Sequence, residues 1–139
     1  MIETHGAFIL NENNELLICH TTNSKLGKGW SIPKGLSEEN ETSLETVLRE
    51  VKEEVNINMK ILNYFPLHES VYQNKKKKLK SYLFRIEKPI NELKCNSFVD
   101  DKFPENDIIK WVSLDEAEKL IHVSQSKLIK DIRRLIGVK

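Results

Sequence analysis

Between Thr42 and Val55 the apolar residues Leu44, Val47, Leu48, Val51 and Val55 return at spacings of three and four, while Glu50, Glu53 and Glu54 crowd into the same stretch. The apolar spacing predicts an α-helix with a single buried stripe. Each helical residue advances by roughly 100°, so the three glutamates, at i, i+3 and i+4, leave from one side. The stripe faces well over a quarter-turn away. Any fold this chain adopts must bury one side of the helix and leave the acids an outlet. Like charges at these spacings destabilise a helix by about 0.2–0.5 kcal/mol per pair, a penalty that disappears if a divalent cation sits among them. An all-oxygen cluster suits Mg²⁺, Mn²⁺ or Ca²⁺ better than zinc or copper. Arg49, one turn before Glu53, can orient or partly neutralise it. The acid triplet alone is equally the pattern of a solvated helix face.

The rest of the chain frames this helix with strands. Gly6 to Leu10 and Leu16 to His20 are short apolar runs around an asparagine-rich interval and predict a hairpin. Trp30-Ser31-Ile32 predicts a brief strand stopped by Pro33. Residues 59 to 71 and 79 to 87 predict two more strands, with Asn74 to Lys78 as a hairpin tip. Residues 88 to 107 show no period, and a loop of that length is usually functional or mobile. Ile108 to Val112 predicts a last strand, Ser113-Leu114-Asp115-Glu116 has the form of a capping box, and Leu128, Ile129, Ile132, Leu135 and Ile136 predict a final helix ending at Gly137.

The 139 residues suit one domain, 1–139. Lys plus Arg number 22 against 21 Asp plus Glu, a formal net charge of +1, so no global field points to nucleic acid or membrane and any charge-based function is local. The two cysteines, Cys19 and Cys95, form no CxxC and predict free thiols rather than a zinc site. The N-terminus lacks a signal-peptide pattern and no apolar run approaches ~20 residues, so a soluble cytoplasmic protein is expected, with its oligomeric state open.

Gly35, five residues, Glu41, seven residues, then Arg49-Glu50-Val51-Lys52-Glu53-Glu54-Val55-Asn56-Ile57 resembles the signature of the Nudix hydrolases, a glycine-loop-helix-loop box. All its charged positions match, with Gly35 and the aliphatic Val51 and Ile57. Asn56 departs, standing where the family has glycine. The demand there is a left-handed backbone, which Asn tolerates best after Gly, so Asn56→Gly is expected to leave activity nearly unchanged and raise stability modestly. Gly29-Trp30-Ser31-Ile32-Pro33-Lys34-Gly35 resembles the WxxPKG lead-in of members acting on dinucleoside polyphosphates or diphosphoinositols. Trp111 to Ala117 resembles the family's closing strand and helix.

The resemblance implies an α+β fold, the family's αβα sandwich with a mixed sheet between helices. It implies hydrolysis of a phosphoanhydride bond in a nucleoside diphosphate linked to a group X, dependent on Mg²⁺ or Mn²⁺. Glu50, Glu53 and Glu54 would bind the metal with the carbonyl of Gly35, and Glu105 is the candidate for a further ligand from the loop, with Asp100, Asp101 and Asp107 nearby. The general base stays open between Glu53 and Glu50. Glu41 and Arg49 would orient the metal-binding side chains. Lys34 is placed to meet a substrate phosphate, or is an ordinary loop lysine. Tyr82 would stack on a nucleobase or pack in the core. His5 is the one histidine whose strand, in the family, approaches the substrate; the others are expected to be structural or exposed. Lys75 to Lys78 would keep a hairpin soluble, or bind polyphosphate or an RNA end. The expected substrate is a dinucleoside polyphosphate such as diadenosine tetraphosphate, with a nucleoside triphosphate or an RNA 5′ end as alternatives. A non-catalytic nucleotide-binding domain is the remaining class, against which all four box glutamates are present.

Overall fold

A computed structural model of the protein describes residues 1–60, 64–87 and 92–138. Its elements run β1 (Ile2–Leu10), β2 (Leu16–Thr21), β3 (Trp30–Ser31), β4 (Lys34–Gly35), α1 (Ser43–Val55), β5 (Tyr64–Pro66), β6 (Ser70–Val71), β7 (Lys77–Arg85), β8 (Phe98–Val99), β9 (Phe103–Pro104), β10 (Asn106–Val112), α2 (Leu114–Leu120), α3 (Val123–Ser126) and α4 (Ile129–Ile136). The main sheet has the order β10-β2-β1-β7-β5, with β3 on β2, β4 on β1 and β6 on β7. It is mixed: β1 and β7 are parallel, in register from Ile2↔Lys77 to Leu10↔Arg85, while β1 pairs antiparallel with β2 and β4.

Alternation along β1 sends side chains into two cores. Phe8 and Leu10 join Leu16, Ile18, Leu79 and Leu83 against Ala117 of α2 and Ile129 and Ile132 of α4, with Leu128 just before α4 closing that side. Ala7 and Ile9 join Leu17, Tyr82 and Phe84 against Val47, Val51 and Val55 of α1. The result is the expected three-layer αβα arrangement, and its inner helix face is the apolar stripe of the sequence.

Local chemistry sets the ends of α1. Thr42 caps it, accepting the Glu45 N–H at 3.2 Å while Glu45 accepts the Thr42 N–H at 2.9 Å, a complete capping box. Asn56 closes it at φ 63°, ψ 38°, the left-handed conformation expected there. At α2 the expected box is half formed: Ser113 accepts the Glu116 N–H at 3.1 Å, but the Glu116 carboxylate turns to Lys110 Nζ at 3.6 Å.

Other boundaries move for nonlocal reasons. β1 starts at Ile2 because its first residues pair with β7, and Lys77 and Lys78, expected in a hairpin tip, are already strand. The expected strand over 59–71 resolves into β5 and β6, residues 61–63 lying outside the described residues. Of the expected irregular stretch 88–107, residues 88–91 also lie outside them. The remainder holds the β8–β9 hairpin, turned by Asp100 and Asp101 at positive φ, and the start of β10.

Candidate active site

Arg49 organises the acids. Its Nε and Nη2 donate to the two oxygens of Glu41 at 2.7 and 2.9 Å, Nη2 also reaches the Leu36 carbonyl at 2.9 Å, and Nη1 meets Glu50 Oε1 at 3.1 Å and Glu53 Oε2 at 3.2 Å. The two-pronged contact is the planar fork that guanidinium makes with carboxylate. It holds the Glu41 carboxyl down at about 2, aided by the Glu38 N–H and the Thr46 hydroxyl. Glu41 therefore acts through Arg49, tying the loop after Gly35 to the helix.

The other acids meet an environment that opposes their charge. Glu54 is buried, with Oε2 accepting the Lys34 N–H at 2.7 Å. Burial, with the charges of Glu50 and Glu105 adding to it, lifts its carboxyl to about 8 despite that bond. Burial likewise lifts Glu50 to about 7, against the pull of Arg49 and with Glu53 and Glu105 pushing the same way. The Glu50 carboxylate lies on the bare Cα of Gly35, where a Cβ would come within 2.1 Å of Oε1. Glu50, Glu53, Glu105, Lys34 and Gly35 line one cleft of about 560 Å³. Glu54 sits beneath it, held to Lys34.

Among the described residues no three Asp, Glu, His or Cys side chains already stand together as a cation cage. Arg49 occupies oxygens of Glu50 and Glu53, and the Lys34 amide occupies one of Glu54. The donor set nevertheless fits a hard divalent cation: carboxylates, a nearby backbone carbonyl and no nitrogen or sulfur. Two of the acids are pushed toward protonation, which is how crowded buried carboxylates relieve their charge when no cation does so.

This has a measurable consequence. Glu50 and Glu54, with an ordinary value of 4.5, hold protons in the folded chain that they release on unfolding. Between that value and about 7 to 8 the folded state binds more protons, so its stability falls as pH rises. In EDTA, the thermal midpoint should drop by about 5 °C or more between about pH 5 and pH 8. Glu41, lowered to about 2, stays ionised across that range and contributes no slope. Excess Mg²⁺ should flatten the decline, and a midpoint that rises toward pH 8 in EDTA would show the acids are not strained as described.

Two expected substrate residues lie elsewhere. Tyr82 and His5 are buried on the α1 side of the sheet, where the Tyr82 hydroxyl donates to Ser43 Oγ at 2.8 Å and His5 Nδ1 meets the same oxygen at 2.7 Å. Neither lines the acid cleft. Parity places them there, since both share a face with Ala7 and Ile9. Conversely, Thr4, Tyr72 and Ser97 line the cleft and were not singled out, and Lys77 of the lysine run, for which polyphosphate binding stood as an alternative, lines it too. Only the lysine run hinted at Lys77, and the parallel β1–β7 register that brings it opposite Ile2 has no local signal. His20 is structural, bonded to Asp107 at 2.7 Å and to the Lys25 carbonyl at 3.0 Å.

The NUDIX domain model matches residues 3–132. The chain is 30% identical over 139 residues to Nudix hydrolase 10 of Arabidopsis thaliana, covering 96% of this chain and 45% of that protein. It is 32% identical over 98 residues to Nudix hydrolase 5 of the same organism, 63% of this chain and 32% of that one. The chain thus spans less than half the length of these relatives. Among solved structures, a C. elegans Ap4A hydrolase binary complex superposes with a TM-score of 0.73 at 20% identity, covering 96% of this chain and 98% of that one, a likeness of fold. No described helix is long and apolar enough to cross a membrane.

Proposed function

The chain belongs to the Nudix family, and from that premise we propose that it hydrolyses a phosphoanhydride bond in a nucleoside diphosphate linked to a further group, in a reaction dependent on Mg²⁺ or Mn²⁺. The observation that carries this reading is the gathering of Glu50, Glu53 and Glu105 with Gly35 and Lys34 around one cleft, with Glu54 buried against the Lys34 amide. Glu50, Glu53, Glu54 and Glu105, with the Gly35 carbonyl, would hold the cation. When bound, a divalent cation neutralises phosphate charge and acidifies water.

The chain's own residues do the rest. Arg49 and Glu41 hold the acids in place. Lys34, its backbone N–H bonded to Glu54 and the residue itself lining the cleft, meets a phosphate as a point charge. A carboxylate of Glu53 or Glu50 takes the proton from the attacking water.

The substrate we propose is a dinucleoside polyphosphate, supported by the Trp30 to Gly35 lead-in. Incubation with Mg²⁺ and diadenosine tetraphosphate should yield AMP plus ATP by chromatography. Two ADP would argue against this chemistry. Turnover confined to nucleoside triphosphates or RNA 5′ ends would reassign the substrate, and no turnover on any of these or on nucleotide sugars would leave a nucleotide-binding domain without catalysis.

A further inference from the structure

Asn56 does more than adopt the left-handed cap. Its Nδ2 donates to the Glu92 carbonyl at 2.9 Å, and its Oδ1 accepts from Asn96 Nδ2 and from Lys52 Nζ, each at 3.0 Å. Asn96 in turn supplies donors to the open end of α1, its backbone N–H to the Glu53 carbonyl at 2.6 Å and its Nδ2 to the Lys52 carbonyl at 3.1 Å. The last carbonyls of a helix need such partners.

The residue after Asn96 stands at the base of the β8–β9 hairpin. There the Glu105 N–H donates to the Ser97 carbonyl at 2.8 Å, and Ser97 Oγ donates to Glu105 Oε2 at 2.7 Å. The far side of the base is held by Thr22, whose hydroxyl donates to the Pro104 carbonyl at 2.5 Å and whose N–H donates to the Glu105 carbonyl at 3.1 Å. Glu105 itself is exposed, so its direction depends on these bonds rather than on packing. A chain of contacts therefore runs from the cap of the acid-bearing helix, through Asn96 and Ser97, to the carboxylate on the opposite wall of the cleft.

We propose that Asn56 is a positioning residue: its side chain, with Asn96, clasps the hairpin base to α1 so that Ser97 holds the Glu105 carboxylate at the cleft. Glycine supplies the backbone conformation but no clasp, so on this proposal Asn56→Gly is not silent, contrary to the expectation from backbone conformation alone. The catalytic part of this inference rests on the proposed hydrolysis; the clasp itself does not.

Asn56→Gly should lower kcat about tenfold, in the range typical of residues that orient a metal-site ligand, with KM within about twofold and an unchanged or higher thermal midpoint. Asn56→Asp keeps the acceptor for Asn96 and should recover most of the rate, whereas a role in helix stability alone would move the midpoint and leave kcat. In a Glu105→Gln background Asn56→Gly should cost nothing further. Independently of turnover, amide exchange at Asn96 and Glu105 should accelerate at least about fivefold in Asn56→Gly. Unchanged exchange overturns the clasp whether or not the chain hydrolyses anything. With an active wild type, an unimpaired Asn56→Gly, a silent Glu105→Gln or losses that multiply overturn the link to Glu105.

Discussion

Glu53→Gln should reduce Mg²⁺-dependent turnover by at least about a hundredfold, the scale of losing a positioned proton acceptor or a metal-ion ligand, while moving the thermal midpoint little. The separation follows from where Glu53 sits. Its side chain is 40% exposed and bonds to Arg49 Nη1 at 3.2 and 3.4 Å, an i,i+4 pair of the kind worth roughly 0–1 kcal/mol. Arg49 keeps its stronger contacts to Glu41 in the variant, so the scaffold is retained.

Glu50→Gln makes the informative comparison. Its carboxyl, raised to about 7 by burial, is replaced by a neutral amide of the same shape, so in EDTA the stability advantage of this variant over wild type should widen as pH rises, while turnover is lost. Whichever variant loses kcat with its Mg²⁺ requirement unchanged identifies the proton acceptor. A Glu53→Gln protein that matches wild type in turnover would remove Glu53 from the chemistry altogether.

What could be read from residues alone was what depends on near neighbours. The stripe and the acids of α1 are set by spacings of three and four, and the left-handed Asn56 by its place just after the helix, so both are legible. The two-sided core was implied by the family resemblance and not by spacing, because Gly6 to Leu10 is one unbroken apolar run and only the structure divides Phe8 and Leu10 from Ala7 and Ile9.

The cleft walls are not legible either, because they are made by pairing between distant segments. Ile2↔Lys77 is set by a parallel register across most of the chain, which is why Lys77 passed for a hairpin tip. Tyr82 takes its core-packing alternative, with His5 beside it, for a related reason: parity told which residues share a face, but only the docking of α1 through Ser43 decides which face that is. The β8–β9 hairpin escaped notice because two strands of two residues carry no period, its one cue being the Asp100-Asp101 turn at positive φ.

Gly35→Ala should lower turnover about as far as Glu50→Gln does, again about a hundredfold or more, in a protein that folds as well as wild type. The three atoms nearest to an added Cβ all belong to one carboxylate: Glu50 Oε1 at 2.1 Å, Cδ at 2.2 Å and Oε2 at 2.7 Å. Backbone conformation is not the obstacle, since Gly35 does not occupy the left-handed region. The methyl group is accommodated when Glu50 swings aside, a rotation open to a long side chain. That movement carries the carboxylate toward water and relieves the burial that raises it to about 7, so stability is held or improved while the acid leaves its station. Both changes thus remove the same group from the same place, and their effects should not add: Gly35→Ala combined with Glu50→Gln should be no slower than the worse of the two. Full activity in Gly35→Ala would mean that the close seat of Glu50 on Gly35 has no part in catalysis, and multiplied losses would mean that Gly35 acts by some route other than Glu50.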